Sequence, residues 1–318
     1  MNAVLVEVVP PPRPVVEAAV TIAPRARWRR VLAAAAPYLY LAPALTALVV
    51  WTYRPLVQVA QLSTSSWNLL PTSPLTPVGA ANFERVLTAP ELRNAMGTTV
   101  LFIVGMLPFT IVLPVVVSLL SRRVRGRMRA VYQGLVFAPV LVAPVASAAV
   151  WQWMLDPSSG QVNRLIGSPV NWLQEAGPAR IAIVAITGWH VLGFAVLIVS
   201  AGLSNINDDY SHAAALDGAT GSQITRWVTL PLLSPSLVFL TLMTILLSAQ
   251  WSFPLIDTLT QGGPGDATLN IYYLLWEYGF KTFDAGMGAA AGLVFFVVFL
   301  AVAFVLVRLS DRLSFHDN

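Results

Sequence analysis

Charged and uncharged positions in this chain are segregated into blocks tens of residues long. Runs without Asp, Glu, Lys or Arg cover 31–53, 94–121, 130–155, 181–207, 227–256 and 285–307. Each is long enough to cross about 30 Å of hydrocarbon at about 1.5 Å per residue. A segment surrounded by lipid has to satisfy its own backbone N–H and C=O groups, so the runs are read as helices. They predict an all-α polytopic membrane protein of about six transmembrane helices, at about 31–53, 94–121, 130–155, 181–207, 232–256 and 285–307. Residues 1–30 read as a flexible cytoplasmic tail, 31–310 as the transmembrane domain and 311–318 as a cytoplasmic C-terminal tail. A seventh uncharged run, 55–83, carries Gln58, Gln61, Ser63 to Ser66, Asn68 and prolines, and is expected to be an extramembrane loop.

Composition supports the membrane reading. The 318 residues are 56% hydrophobic and 11% charged, which leaves a water-soluble fold too little polar surface to cover itself. Thirteen of the nineteen Lys and Arg fall before span one, between spans two and three, between spans four and five, or after span six. Arg25, Arg27, Arg29 and Arg30 abut span one, and Arg122, Arg123, Arg125, Arg127 and Arg129 lie between spans two and three. The positive-inside rule then predicts that both termini are cytoplasmic. Because each cluster abuts an apolar span, the net charge of +4 reads as topology and no nucleic-acid partner is expected. Val4 to Val9 is short, is interrupted by Glu7 and is followed by prolines, so no signal peptide is expected.

Several chemistries are excluded. The chain has no cysteine, hence no disulfide or thiolate metal site. Its single lysine, Lys281, follows Phe280, so the Gly-Lys ending of a Walker-type phosphate loop is missing and any ATPase is expected on a separate chain. His190 is the one ionisable group inside the expected spans. A proton- or ion-coupled transporter needs titratable groups there, which weighs against that alternative. His190, His212 and His316 are too scattered for a metal site, and nothing suggests an active site.

The segment between spans four and five, about 208–231, is the most informative. Asn207, Asp208, Asp209 and Ser211 offer caps for a short helix rich in alanine, which breaks at Asp217-Gly218. A second amphipathic segment follows, and Pro231 leads it back to the membrane. The pattern Ala213-Ala214, Gly218, Val228 and Leu230-Pro231 resembles the EAA loop of binding-protein-dependent ABC importer permeases. His212 stands where that family usually has Glu. Gly79 to Phe83, Trp151 to Pro157 with Gly160 and Asn163, and Thr260 to Pro264 with Thr268 are similar to stretches of the family's maltose- and glycerol-3-phosphate-type branch.

The resemblance implies a type I importer permease fold in a bacterial inner membrane. It implies a second homologous permease, two ATPase subunits that bind ATP and Mg, and an extracytoplasmic solute-binding protein, with no cofactor in this chain. It makes His212, Ala213, Ala214, Asp217, Gly218, Ala219, Leu230 and Pro231 the contact with the ATPase. Trp189, His190, Gln250, Trp251 and Asp257 are candidates to line the solute path. Phe253 to Asp257 ahead of Thr260 resembles the glycerol-3-phosphate branch, which favours glycerol-3-phosphate or a glycerophosphodiester, with an oligosaccharide as the alternative. No arginine is expected within spans four to six to meet a phosphate, which would leave that charge to partners or to helix N-termini.

Overall fold

The computed structural model describes residues 25–122, 124 and 126–313. Most of the expected N-terminal tail, residues 314–318 of the C-terminal tail, Arg123 and Arg125 therefore lie outside the described residues. The chain divides into two units, Met1–Val57 and Gln58–Asn318. In the first, α1 (Arg25–Leu48) passes through a π turn, Val49–Tyr53, into α2 (Arg54–Ser63), which runs on past the unit boundary. The loop expected to begin at 55 therefore begins after Ser63. Gln58 and Gln61 are good helix formers, and Ser63 Oγ bonds back to the Ala60 carbonyl at 2.8 Å. The polar composition that ends the expected first span does not end the helix.

The second unit opens with a two-stranded antiparallel pair, β1 (Ser65–Ser66) and β2 (Thr76–Pro77), with Ser65 opposite Pro77 and Ser66 opposite Thr76. There follow α3 (Ala81–Thr88), α4 (Pro90–Leu107), a π turn at Pro108–Val112 and α5 (Leu113–Ser121). Pro90–Ser121 forms one helical stretch of 32 residues that contains an 18-residue window of mean hydropathy 2.7. Pro108 and Pro114 lack the N–H that a regular α-helix would use, and the π turn lies where the first of them interrupts the ladder.

The expected span 130–155 is not one straight helix. It is α6 (Arg127–Leu141) and α7 (Pro144–Met154), and the pair Gly134–Leu141 and Pro144–Met154 is bent by 102°. Ala143 precedes a proline and adopts φ −60°, ψ 129°, because the proline ring disfavours helical backbone in the residue before it. Beyond the bend lie α8 (Gln161–Ile166), α9 (Ala176–Ser204), α10 (Asp208–Leu216), α11 (Gly221–Ile224), a π turn Thr225–Thr229, α12 (Leu230–Leu232) and α13 (Ser234–Leu255). The chain closes with a π turn Ile256–Thr260, α14 (Ile271–Trp276), a π turn Glu277–Lys281 and α15 (Ala285–Leu313).

Among the described residues four helical stretches are long and apolar enough to cross a membrane, or five if the bent pair is one span. The first expected span, 31–53, lies on α1 and the π turn after it, and the side chains before Pro37 are outside the described set. Helix α9 is central: it packs against α4, α5, α6 and α13. Its two ends serve two apolar clusters. Ile183 and Ile186 join Phe102, Leu255 and Tyr273 in one, and Ala195, Val199 and Leu203 join Leu233 and Leu240 in the other. Lipid gives apolar helices no hydrophobic reason to associate, so close backbone approach has to hold them, and Gly193 supplies one such contact against α6.

Candidate coupling loop and solute path

The loop after α9 is built as a bracket. Asn207 Oδ1 accepts the Asp209 backbone N–H at 3.0 Å, capping the start of α10. At the other end the Gly218 N–H reaches the Ala215 carbonyl at 3.1 Å and the Ala219 N–H reaches Ala214 at 3.0 Å. This pair of bonds is a Schellman closure, and Gly218 takes the left-handed position at φ +85°. Two residues later Thr220 and Gln223 form a reciprocal capping box that starts α11. The π turn Thr225–Thr229 and α12, which contains Leu230 and Pro231, then return the chain to α13.

The positions singled out in the sequence thus fall on one continuous bracket. His212, Ala213, Asp217 and Gly218 are exposed, and Ala214, Ala219, Leu230 and Pro231 are half-buried. Helix α10 has no buried residue and packs mainly against α11 and the π turn that follows it. Ala214, Gly218, Ala219, Gln223 and Trp227 line a cleft of about 410 Å³. Leu216 and Trp227, 90% and 69% exposed, stand out around it. No signal in the sequence pointed to Leu216 or Trp227. Their exposure follows from the turn geometry.

The path candidates separate into two groups. Trp189 and His190 on α9 meet Trp151 of α7: the Trp151 and Trp189 rings are 5.8 Å apart and the Trp189 and His190 rings 5.1 Å, both edge to face. His190 Nδ1 lies 3.0 Å from the Pro139 carbonyl, close to the bend in the α6–α7 pair. That bond gives His190 a structural partner that its sequence position did not reveal. Gln250 is exposed on α13, Trp251 is half-buried beside it, and Asp257 lies on the π turn that ends the helix. Helix α7 packs against both α13 and the Asp257 turn, and its Trp151 reaches Trp189, so it touches both groups.

The other motif stretches prove to be polar clips that hold the connecting loops. Asn82, 2% exposed, donates to the Ser63 and Ser65 carbonyls at 3.0 and 2.8 Å. Asn163 donates to Pro157 and Val170 and accepts the Trp172 indole N–H at 2.7 Å. Thr268 is fully buried, with its hydroxyl 2.7 Å from that of Thr260 and donating to the Gly263 carbonyl at 2.8 Å, which closes the Gly262-Gly263-Pro264 loop. Lys281 donates to the Tyr273 hydroxyl at 2.7 Å, and this bond, before any ionic contribution, raises its pKa above the ordinary lysine value.

Asn270 is the residue the sequence did not single out. It is fully buried, donates to the Ala249 carbonyl and Ser252 Oγ at 3.0 and 2.9 Å, and accepts the Tyr273 N–H that caps α14. Asn270→Ala removes the cap and strands buried acceptors, so a loss of about 2–4 kcal/mol is expected. Thermal unfolding of the purified protein in detergent measures it.

Asp156 gives a pH prediction. The Ser159 and Ser158 N–H and hydroxyl groups all bond its carboxylate, which holds its pKa at about 2. A depressed carboxylate contributes stability that is complete above the ordinary aspartate pKa and is lost as pH falls through about 2. The loop after α7 is therefore expected to keep its conformation at pH 4, with the Asp156 carboxyl carbon unshifted by NMR. Asp156→Asn keeps an Oδ1 acceptor for the same four bonds but cannot ionise, so it should remove the loop's pH dependence near pH 2.

Comparison with known proteins adds the following. Residues 121–315 match the family described as binding-protein-dependent transport system inner membrane component. The trehalose/maltose transport system permease protein MalF of Thermococcus litoralis is 34% identical over 278 residues, covering 85% of this chain and 92% of the relative. The sn-glycerol-3-phosphate transport system permease protein UgpA of Agrobacterium fabrum is 28% identical, covering 87% and 94%. Among solved structures, a chain of a bacterial ABC transporter involved in the import of the acidic polysaccharide alginate superposes with TM-score 0.78 at 21% identity, covering 91% of this chain and all of that one. A second structure of the alginate transporter, in complex with alginate pentasaccharide-bound periplasmic protein, gives a TM-score of 0.77.

Proposed function

The chain belongs to the family of binding-protein-dependent transport system inner membrane components, and from that premise we propose that it is one of two permease subunits enclosing the solute path of an ATP-driven importer. Its solute is glycerol-3-phosphate or a glycerophosphodiester. The six spans place both termini in the cytoplasm, with the basic clusters, and an ATPase pair docks on the bracket from 208 to 231. The ATPase subunits carry ATP and Mg, and a separate extracytoplasmic protein delivers the solute.

One observation carries the coupling assignment. Helix α10 is rigidly capped at both ends yet buries none of its own residues, while Leu216 and Trp227 stand exposed around a cleft. Such a helix is stable without using its outer surface, which is left for a partner. His212 sits on it where the family usually has Glu, so no carboxylate contact is available there and the docking rests on shape and apolar contact. Closure of the ATPase pair would drag α10, and the α11–α12 segment would pass the movement to α13.

An oligosaccharide is the second reading. It draws support from the 34% identity to the trehalose/maltose permease and from the Trp151, Trp189 and His190 edge, because aromatic faces suit sugar rings.

Co-purification after gentle solubilisation, followed by ATPase assays with the cognate binding protein and glycerol-3-phosphate, glycerophosphocholine, maltose or trehalose, tests both readings. Recovery with a second permease and an ATPase, stimulated by a phosphate-bearing solute, is the expected result. Stimulation by the disaccharides alone would replace the solute assignment. Solute flux from this chain without any ATPase would overturn the importer reading.

A further inference from the structure

The α9 helix begins at Ala176, earlier than the uncharged run indicated, so it includes Arg180. No arginine was expected within spans four to six; the helix that carries span four starts five residues before 181 and brings Arg180 with it. Arg180 faces a cleft of about 540 Å³ that Arg93, Asn94 and Thr98 of α4 also line. The loop after α13 fixes the geometry: Arg180 Nε donates to the Ala267 carbonyl at 2.8 Å and Asn94 Nδ2 to the Asp266 carbonyl at 3.0 Å. The terminal nitrogens of Arg180 and the whole Arg93 guanidinium have no partner among the described residues. Thr98 is 4% exposed, and its hydroxyl likewise has no partner among them. The lining contains no carboxylate, and Asp266 contributes only a backbone oxygen.

We propose that this cleft binds one anionic group, a phosphate or a carboxylate, held between Arg93 and Arg180 with Thr98 as a further donor. The physical reason is the donor inventory. Two guanidinium groups offer planar pairs of N–H groups that match the oxygens of such anions, and no carboxylate is among the residues that line the cleft with them. Pro90 at the first turn of α4 also lines the cleft, so the positive end of that helix adds to the field. That the cleft opens to the extracytoplasmic side rests on the topology proposed above. The anion could come from an incoming solute or from a lipid headgroup, and the same chemistry serves both.

Because the chain has no cysteine, Gly97→Cys would place a single thiol in the cleft, where a new Cβ meets no atom within 4 Å. The assembled transporter is placed in phosphatidylcholine nanodiscs, and reaction with anionic sulfonatoethyl and cationic trimethylammonium-ethyl methanethiosulfonates is followed by the mass of this chain. The anionic reagent is expected to react faster. The ratio of the two rates should fall at least tenfold in Arg93→Gln/Arg180→Gln, and Arg93→Lys/Arg180→Lys should preserve most of it.

Millimolar inorganic phosphate that slows labelling in phosphatidylcholine assigns the site to a soluble anion. Slowing only when phosphatidylglycerol is included assigns it to a headgroup. A ratio that ignores the arginines, or a thiol that neither reagent reaches, overturns the proposal. Labelling of intact cells tests sidedness separately: reaction from the cytoplasmic face alone would put the topology in error and leave the site standing.

Discussion

Gly218→Leu is expected to abolish uptake while leaving the protein in the membrane at its normal level. The Gly218 backbone sits at φ +85°, and a Cβ there would meet nothing within 4 Å. The damage is therefore conformational: a β-carbon in left-handed backbone costs about 1–2 kcal/mol, and a branched side chain pays the full penalty. Relieving it means rotating the turn and breaking the Gly218 to Ala215 and Ala219 to Ala214 bonds that fix the end of α10. The loop lies outside both apolar clusters, so insertion and global stability should change little. Coupling should change a great deal, because an α10 released from its bracket cannot carry a push. Gly218→Asn, whose side chain tolerates left-handed backbone, should keep a substantial part of the transport. Uptake in cells, normalised to the membrane content of the chain, gives the comparison. Normal uptake by Gly218→Leu would remove the bracket from the mechanism.

Much of this was legible in the sequence because the governing physics is local or one-dimensional. Uncharged runs of membrane length located the Pro90–Ser121, Ala176–Ser204, Ser234–Thr260 and Ala285–Arg308 stretches to within a few residues. The Ala-Ala, Gly218 and Leu-Pro pattern located the bracket, since a left-handed turn has a short, readable signature. The 102° bend was missed because a count of charges does not register Pro144, although the residue before a proline is a known break. Asn270 and the partner of His190 could not be read, because each depends on a carbonyl brought near by tertiary packing, Ala249 and Pro139 respectively. Arg180 was missed for a related reason. A charge at the mouth of a helix ends an uncharged run without ending the helix.

Gly193→Leu is expected to prevent the helices of the fold from packing. A Cβ at this position would lie 2.6 Å from the Val136 carbonyl oxygen and 3.2 Å from the Phe137 Cα, both backbone atoms of α6, and 2.9 Å from Val140 Cγ2. A flexible side chain can retreat from such a contact, whereas a helix backbone retreats only by moving the helix. The adjoining bond from His190 to the Pro139 carbonyl holds α6 to α9 beside the bend, so the same movement would break it. A cost above the usual 1–3 kcal/mol of overpacking is therefore expected, and no well-folded protein should be recovered from membranes. Gly193→Ala should be milder and still measurable as a lowered unfolding temperature. Adding Val140→Ala to it removes the one side-chain clash and leaves the two backbone clashes. The double variant should then regain only a minor part of the loss, and the coupling between the two substitutions is read from the four unfolding temperatures. Full rescue would mean that the helices are held apart by side chains and that the close backbone approach at Gly193 contributes little to the packing of α6 on α9.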